Sequence, residues 1–355
     1  MKKKLLGALA LVAALGLPAS ANASLQTLSD LFVFGDSLSD GGNSGIVSRA
    51  ATGGAFTFPP FPYYNGQYSN GPVAVEYLWN SFNPGNTNFK PSLAPGGGTN
   101  YAIGGATTGL ESFNSVNPST GALAPVYNQL GNNWQLNAFA SQLAGGRTFD
   151  PATSLFVVWL FPNDVFNYPA TGFKTPGTAL GGPAVGPVGP DALIANGIQN
   201  IVDTVLFLAS KGAQHFLVPN LVDISATPDG SGDASLQALA INFDFFLAQA
   251  LTALDAALTS AEIVQFDTYG ALNSLIANPS AYGITNTTEK CVDNILNGRC
   301  NPNSNTWLFW DGSHPTTYAH SIVGAQFAAA VPEPESVLLL AIGLLGIFVT
   351  RRRTA

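Results

Sequence analysis

Residues 31–43 read Leu-Phe-Val-Phe-Gly-Asp-Ser-Leu-Ser-Asp-Gly-Gly-Asn, and this stretch decides the fold. Its four leading apolar residues run directly into a polar turn that carries Gly35, Asp36 and Ser37. The pattern predicts a short buried strand with a serine at its carboxyl end. Open α/β sheets bind their ligands in the crevice beyond the carboxyl ends of the strands. Ser37 is therefore the first candidate nucleophile.

The rest of the chain alternates between strand and helix patterns. A near-continuous apolar run over 154–160 is typical of a strand buried on both faces of a parallel sheet. Further strands are predicted over 214–219 and 262–266, a brief one ends in Gly104 and Gly105, and helices are predicted over 130–143, 191–211 and 233–258. This order predicts an α/β fold, a three-layer α/β/α sandwich with a central parallel sheet. With the flavodoxin-like strand order 2-1-3-4-5, the strands that end near Ser37 and Asn163 are neighbours.

Composition bounds the class of protein. Of the 355 residues, 46% are hydrophobic and 10% are charged, which permits one large domain or two small ones with a substantial core. Many of the Lys and Arg residues lie in the two terminal segments, so the remainder is strongly acidic. A chain of this charge is a poor nucleic-acid binder, because such proteins need basic patches.

Both ends of the chain look like processing segments. Residues 1–23 have three lysines, an apolar run over 5–17 and a terminal Ala-Asn-Ala, which predicts a signal peptide and a mature start at Ser24. The alternative, a retained membrane helix, is disfavoured because a span needs about 20 apolar residues. Residues 24–330 are then the main domain.

The C-terminal segment 331–355 combines Val331-Pro-Glu-Pro-Glu-Ser336, an apolar run over 337–350 and three arginines. By the positive-inside rule those arginines hold the end of the run on the cytoplasmic side. The arrangement resembles the PEP-CTERM sorting signal of Gram-negative bacteria, and a simple C-terminal anchor is the alternative. The resemblance implies an exosortase as a processing partner. It also implies export through the inner membrane to the periplasm, cell surface or extracellular matrix.

Two cysteines, Cys291 and Cys300, lie nine residues apart in a polar segment of this exported chain. A disulfide that closes a small loop is the expected arrangement, with free thiols as the alternative. A metal site is disfavoured, because no nearby histidine completes a tetrahedral ligand set.

A nucleophilic serine needs a base and a group that orients the base. The chain has three histidines, of which His215 falls in a predicted strand and His320 in the predicted last helix. His314 instead follows Asp311 on a strand-to-helix loop, so His314 is the best base and Asp311 its orienting acid. Donors for an oxyanion are predicted at strand ends, namely the N–H of Gly104, the amide of Asn163 and the N–H of Ser37.

Four ordered blocks, at 34–40, around Gly104, at 161–164 and at 311–315, resemble those of the GDSL, or SGNH, family of serine esterases and lipases. The resemblance implies the SGNH-hydrolase fold, a Ser37–His314–Asp311 triad, an oxyanion hole with Gly104 and Asn163, and no cofactor or metal. Residues 65–72 are also similar to the family's Asn-Gly-Arg-Phe-Ser-Asn-Gly segment, with Gln67 in place of the arginine. Phe161 stands where the family usually has glycine, and we expect its bulk to alter the acyl pocket.

The sequence therefore predicts an exported serine hydrolase that cleaves small-molecule, lipid or acylated-glycan esters through an acyl-enzyme. One alternative is a polysaccharide deacetylase of the same fold. Another is a non-catalytic surface or matrix protein that binds glycans through the aromatic residues of the proline-rich segment 56–64. That segment is expected to pack down as a lid or to line a groove. The acyl length, the alcohol portion and the oligomeric state stay open.

Overall fold

A computed structural model describes residues 25, 27–303 and 306–331. The predicted signal peptide and the apolar tail lie outside these described residues. The helices are α1 Asn43–Ala51, α2 Ala74–Phe82, α3 Asn132–Ala144, α4 Pro162–Ala170, α5 Pro190–Ser210, α6 Ala234–Ala257, α7 Thr268–Ala277 and α8 Thr317–Ala330. The strands are β1 Asp30–Gly35, β2 Ser154–Trp159, β3 His215–Pro219, β4 Glu262–Phe266, β5 Asn286–Lys290 and β6 Trp307–Phe309. Several short 3-10 turns connect them.

The central sheet has the strand order β1-β2-β3-β4, and all of its pairs are parallel. On the free side of β1 runs the extended segment 99–103, whose Tyr101 N–H donates to the Val33 carbonyl at 2.8 Å. Val33 in turn donates its N–H to the Thr99 carbonyl at 3.0 Å. Counted as the second strand, this segment gives the order 2-1-3-4-5, as the flavodoxin-like prediction required. The ends of β1 and β2 are neighbours, with Gly35 opposite Trp159.

Successive side chains of a strand point to opposite faces, and here both faces are covered. Phe32 and Phe34 of β1 face a core that contains Phe139 of α3 and Phe243 of α6. Leu31 and Val33 face a second core that contains residues of α2 and α8. The protein is therefore the predicted three-layer sandwich, and the near-continuous apolar strands follow from burial on both faces.

Helices α2 and α8 run side by side in the same direction, away from the carboxyl edge of the sheet. Gly71 lies against Thr317 at the start of the pair, and Tyr77 lies against Gly324 farther along. A side chain at Gly324 would meet the Ala74 carbonyl at 2.6 Å, so glycine permits the close approach. At the far end, Asn83 donates to the carbonyl of Leu28, just before β1 begins.

Candidate active site

The structure brings Ser37, His314 and Asp311 together at the carboxyl edge of the sheet. His314 Nε2 lies 2.8 Å from Ser37 Oγ, and His314 Nδ1 lies 2.8 Å from Asp311 Oδ2. Ser37 follows β1, whereas Asp311 and His314 lie on the loop between β6 and α8. The geometry is that of a serine whose proton can pass to an imidazole oriented by a carboxylate.

The turn that carries Ser37 is fixed from both sides. Gln135 of α3 bonds both backbone groups of Gly35, accepting from its N–H at 2.9 Å and donating to its carbonyl at 2.7 Å. On the other side of the serine, Asp36 Oδ1 accepts the Leu38 N–H at 2.9 Å. Burial raises the pKa of Asp36 to about 7, although the Leu38 bond and the His314 charge oppose the shift.

The loop that carries Asp311 and His314 is held by the segment 65–72 singled out in the sequence. Ser69 Oγ donates to the Pro315 carbonyl at 3.0 Å, and Asn70 Oδ1 accepts the Thr317 N–H at 2.8 Å. The Tyr68 ring packs against the His314 imidazole, with 5.1 Å between ring centroids. The segment therefore holds His314 in place and contacts the first turn of α8.

Asp311 and His314 each stabilise the charged form of the other. Burial alone raises the pKa of Asp311, but the His314 charge and the hydrogen bonds from His314 and Ser313 outweigh it, and the net pKa is lowered. Burial alone lowers the pKa of His314, but the Asp311 carboxylate outweighs it, and the net pKa is raised. Asp311 is thus ionised at neutral pH and can stabilise an imidazolium.

Gly104, the predicted oxyanion donor, does not present its N–H to the serine. That N–H donates to Asp40 Oδ2 at 2.9 Å and lies 3.0 Å from Ser44 Oγ. The Gly104 carbonyl accepts Asn114 Nδ2 at 2.8 Å. Since the two polar groups of a trans peptide point in opposite directions, the N–H of the next residue, Gly105, points away from Asn114. The Gly104 N–H is therefore occupied by protein acceptors, contrary to the prediction that it is a free donor.

Gly105 lines the same cavity as Ser37 and Asn163, and its φ of +82° favours glycine. Among the described residues, the N–H groups of Ser37 and Gly105 meet no protein acceptor. The buried Asn163 Nδ2 makes no hydrogen bond within 3.5 Å in the described part of the chain, although the Asn163 amide interacts with the nearby Asp36 carboxylate. These three donors belong to residues that line the same cavity. The two adjacent glycines of the sequence gave no signal for choosing between them.

A buried polar cluster couples the Gly105 and Asn163 segments. Asp164 accepts the Thr108 N–H at 2.8 Å and the Thr108 hydroxyl at 2.5 Å. Asn200 of α5 donates to the same hydroxyl at 2.9 Å. Burial raises the pKa of Asp164 to about 7, against the opposing Thr108 bonds. Asp164 thereby fixes the first turn of α4, where Asn163 lies, relative to the loop after Gly105.

Phe161 does have the glycine-like backbone that the family pattern implies, with φ +116° and ψ −29°. Its ring, however, is fully buried and stacked on Phe243 of α6, with centroids 3.7 Å apart. It does not line the cavity at Ser37. The expectation that its bulk alters the acyl pocket is therefore wrong, because the Phe161 side chain is buried in the core that also contains Phe243 of α6.

The cavity at Ser37 has a volume of about 810 Å³. Its lining is largely apolar and includes Phe56, Phe58, Pro59, Pro60, Tyr63, Phe113, Phe166, Val222, Ile224, Leu236 and Val292. The proline-rich segment thus lines the groove, which was one of its two predicted roles. The lining also includes the charged residues Lys290, Asp229 and Asp293. A smaller cavity of about 410 Å³, beside Asp244 and Tyr269, contains none of the predicted site residues.

The other two histidines are structural. His215 of β3 is buried, with Nδ1 3.7 Å from Glu262 of the neighbouring strand. His320 of α8 accepts the Ala74 N–H at 3.2 Å, and burial lowers its pKa to about 3. Cys291 and Cys300 form a disulfide with 5.4 Å between their Cα atoms, as the spacing predicted.

Comparison with known proteins gives two family matches. The family described as GDSL-like lipase/acylhydrolase matches residues 31–327, and the PEP-CTERM protein-sorting motif matches residues 330–353. A GDSL esterase/lipase of Arabidopsis thaliana is 26% identical, over 83% of this chain and 85% of that protein. Acetylajmalan esterase 2 of Rauvolfia serpentina is 27% identical, over 82% and 86%. An acetylxylan esterase structure from Geobacillus stearothermophilus aligns with TM-score 0.39 and 12% identity, over 87% and 97%.

Proposed function

The chain belongs to the GDSL-like lipase/acylhydrolase family, and we propose that it is an exported serine esterase that forms an acyl-enzyme on Ser37. The observation that carries this proposal is the 2.8 Å contact between Ser37 Oγ and His314 Nε2, with Asp311 on the opposite ring nitrogen. The PEP-CTERM motif indicates export and sorting in a Gram-negative bacterium and implies exosortase processing.

In this mechanism His314 takes the proton of Ser37 as its oxygen attacks the ester carbonyl. The negative charge that develops on the carbonyl oxygen is stabilised by hydrogen bonds that the N–H groups of Ser37 and Gly105 and the Asn163 Nδ2 donate to it. The lack of other acceptors for the two backbone N–H groups within the described chain supports this role, as does the place of all three residues in the lining of one cavity. His314 then protonates the leaving alcohol and, in the second half of the reaction, activates the water that releases the acid.

The apolar lining favours an ester with an apolar acyl chain. Aromatic and proline side chains from 56–63 line the cavity together with Val222, Ile224 and Leu236. Burial of each methylene there contributes about 0.8 kcal/mol, so longer chains gain affinity until the cavity is filled. Esters of medium acyl length are therefore the expected substrates.

Deacetylation of a glycan is the second candidate. Phe56 lines the cavity and is 43% exposed, so its aromatic face can stack on a sugar ring. A glycan deacetylase should prefer acetyl esters, whereas the apolar lining favours longer ones, so chain-length preference separates the two candidates. The third hypothesis, a non-catalytic glycan-binding protein, requires no hydrolysis at all.

The test uses nitrophenyl esters of increasing acyl length with the wild type and the Ser37→Ala variant. Ser39→Ala is a matched control, because it removes a buried hydroxyl from the same turn without touching His314. We expect Ser37→Ala alone to lose activity and fluorophosphonate labelling. Equal activity of the Ser37→Ala variant and the wild type, or a label on another serine, contradicts the proposal.

A further inference from the structure

The proline-rich segment sends one side chain to the acid of the triad. Tyr63 donates its hydroxyl to Asp311 Oδ2 at 2.8 Å, from 248 residues away in the chain. Its ring packs edge-on against Trp310, the residue before Asp311, with 5.7 Å between centroids and an interplanar angle of 89°. Ring packing and the hydroxyl bond thus fix Tyr63 on the turn that carries Asp311.

The two oxygens of Asp311 are held differently. Oδ1 accepts the backbone N–H groups of Ser313 at 2.9 Å and of His314 at 2.8 Å, so its own turn fixes it, and it also lies 2.9 Å from His314 Nδ1. Oδ2 has two partners among the described residues, His314 Nδ1 and the Tyr63 hydroxyl. Within that part of the chain, Tyr63 is the group that fixes Oδ2 from outside the turn.

We propose that Tyr63 is a positioning residue, which holds the Asp311 carboxylate against His314 Nδ1 and limits the charge that Oδ2 presents to the imidazole. The inference rests on the proposed Ser37–His314–Asp311 triad. Tyr63 acts through Asp311, because its hydroxyl bonds the carboxylate and neither Ser37 nor His314 Nε2.

Loss of the Tyr63 hydroxyl should shift the pKa of His314 in a predictable direction. A donor to a carboxylate stabilises its charge and weakens its pull on the imidazolium. Without that donor, Oδ2 interacts more strongly with His314, so the pKa of His314 rises. Burial raises the pKa of Tyr63, and the nearby Asp311 raises it further, so the hydroxyl keeps its proton at neutral pH.

Other charged groups around the pair stay the same in a Tyr63→Phe variant. Asp36 faces His314 from the turn after β1, and Asp229 faces it across the Gly312 backbone. Lys290 pairs with Asp229, and Asp293 lies near Tyr63. Of these groups, the acids Asp36 and Asp229 act on His314 in the same direction in both proteins. A difference between the pH profiles of the wild type and the Tyr63→Phe variant therefore measures the effect of the Tyr63 hydroxyl.

The experiment measures kcat and KM against pH for the wild type, Tyr63→Phe, Asp311→Asn and the double variant. Phenylalanine keeps the ring against Trp310, so packing is preserved. Tyr64→Phe is the matched control, since it removes the same group from the next residue, whose backbone N–H bonds Ser69. Active sites are titrated with a fluorophosphonate, so that rates refer to folded molecules even where a variant folds poorly.

We expect Tyr63→Phe to lower kcat about tenfold, the usual effect of losing a hydrogen bond to a charged group, with little change in KM. The acid limb of kcat/KM should move to higher pH, and Tyr64→Phe should match the wild type. In the Asp311→Asn background, Tyr63→Phe should have no further effect on the acid limb.

Three outcomes overturn the inference: an unchanged acid limb and kcat, a change in KM alone, or an equal loss in both backgrounds. A change in KM alone would mean that Tyr63 contacts substrate in the cavity. If Ser37→Ala is inactive while Tyr63→Phe behaves as the wild type, this inference alone fails. If Ser37→Ala retains full activity, the proposed function fails with it.

Discussion

Replacement of Phe161 by alanine and by glycine tests the backbone before α4. Phe161 has φ +116°, a conformation that side chains with a Cβ adopt rarely. Its ring stacks on Phe243 and lies over Gly197, where a Cβ would be 2.3 Å from the ring. The ring thus stabilises the core while its backbone is strained, and the two substitutions separate these effects.

Removing the ring should cost about 3–5 kcal/mol of unfolding free energy, the usual range for a buried phenylalanine. Alanine keeps the strain, whereas glycine relieves about 1–3 kcal/mol of it. Glycine in turn costs about 0.5–1 kcal/mol in chain entropy relative to alanine. We therefore expect the glycine variant to be about 1 kcal/mol more stable than the alanine variant, the reverse of their ordinary order.

Urea unfolding of the two variants measures this difference, with Phe243→Ala as a control that removes the stacking partner without changing Phe161. The acyl-length profile should stay that of the wild type, because the Phe161 ring does not line the cavity. An alanine variant as stable as the glycine variant would refute the strain argument. A changed chain-length profile would instead restore the original expectation that Phe161 shapes the acyl pocket.

Three further predictions concern the site and the fold. Asn163→Ala should lower kcat about 10²- to 10³-fold with little effect on KM in steady-state assays, because it removes one oxyanion donor; a change in KM alone contradicts that role. Glu76 is buried beside Gln67, and burial raises its pKa from 4.5 to about 7 despite hydrogen bonds from Val73 and Gln67. The native state then keeps a proton that the unfolded chain releases, so unfolding free energy should fall as pH rises from 4.5 to 7, by about 3 kcal/mol. Glu76→Gln should remove that part of the dependence in urea titrations at pH 5 and 8, and an unaltered dependence excludes Glu76 as its source. Replacing both cysteines of the disulfide by alanine should cost about 2–3 kcal/mol, and a reducing agent should then no longer affect stability.

The sheet could be predicted because burial on both faces leaves a plain signal. The apolar runs at 31–34 and 154–160 have little alternation, which is what two covered faces require. The long helices α5 and α6 were predicted to within a residue or two, because their apolar residues recur at helical spacing. Their connections of ordinary length then led to parallel βαβ units and the three-layer sandwich.

Helix α1 was not predicted from the sequence, because its buried face leaves no apolar pattern. Its buried residues are Asn43, Ser44, Gly45 and Ser48, so its inner face is small and polar and has no hydrophobic periodicity. The helix begins beside Asp40, whose carboxylate accepts hydrogen bonds from the N–H groups of Gly42, Asn43 and Ser44. A helix packed through polar contacts cannot be detected from an apolar pattern.

The candidate triad was assembled from the sequence because each member stands at an element boundary with few competitors. The choice between Gly104 and Gly105 depended instead on Asp40, which lies 64 residues away and bonds the Gly104 N–H. Likewise, nothing near Tyr63 in the sequence indicates its bond to Asp311. Contacts between distant segments decide which way a peptide or hydroxyl points, and a single sequence does not contain them.

The direction of α8 determines at which end of the sheet the C-terminal segment leaves the domain. Helix α8 starts beside His314 and, over 14 residues, carries the chain about 21 Å away, to Val331, buried in the core that also holds Leu25 and Leu28. Val331, within the matched sorting motif 330–353, therefore lies at the opposite end of the sheet from Ser37. Attachment of the protein through its C-terminal segment would therefore leave Ser37 and the cavity at the other end of the sheet, accessible from the side away from the attachment.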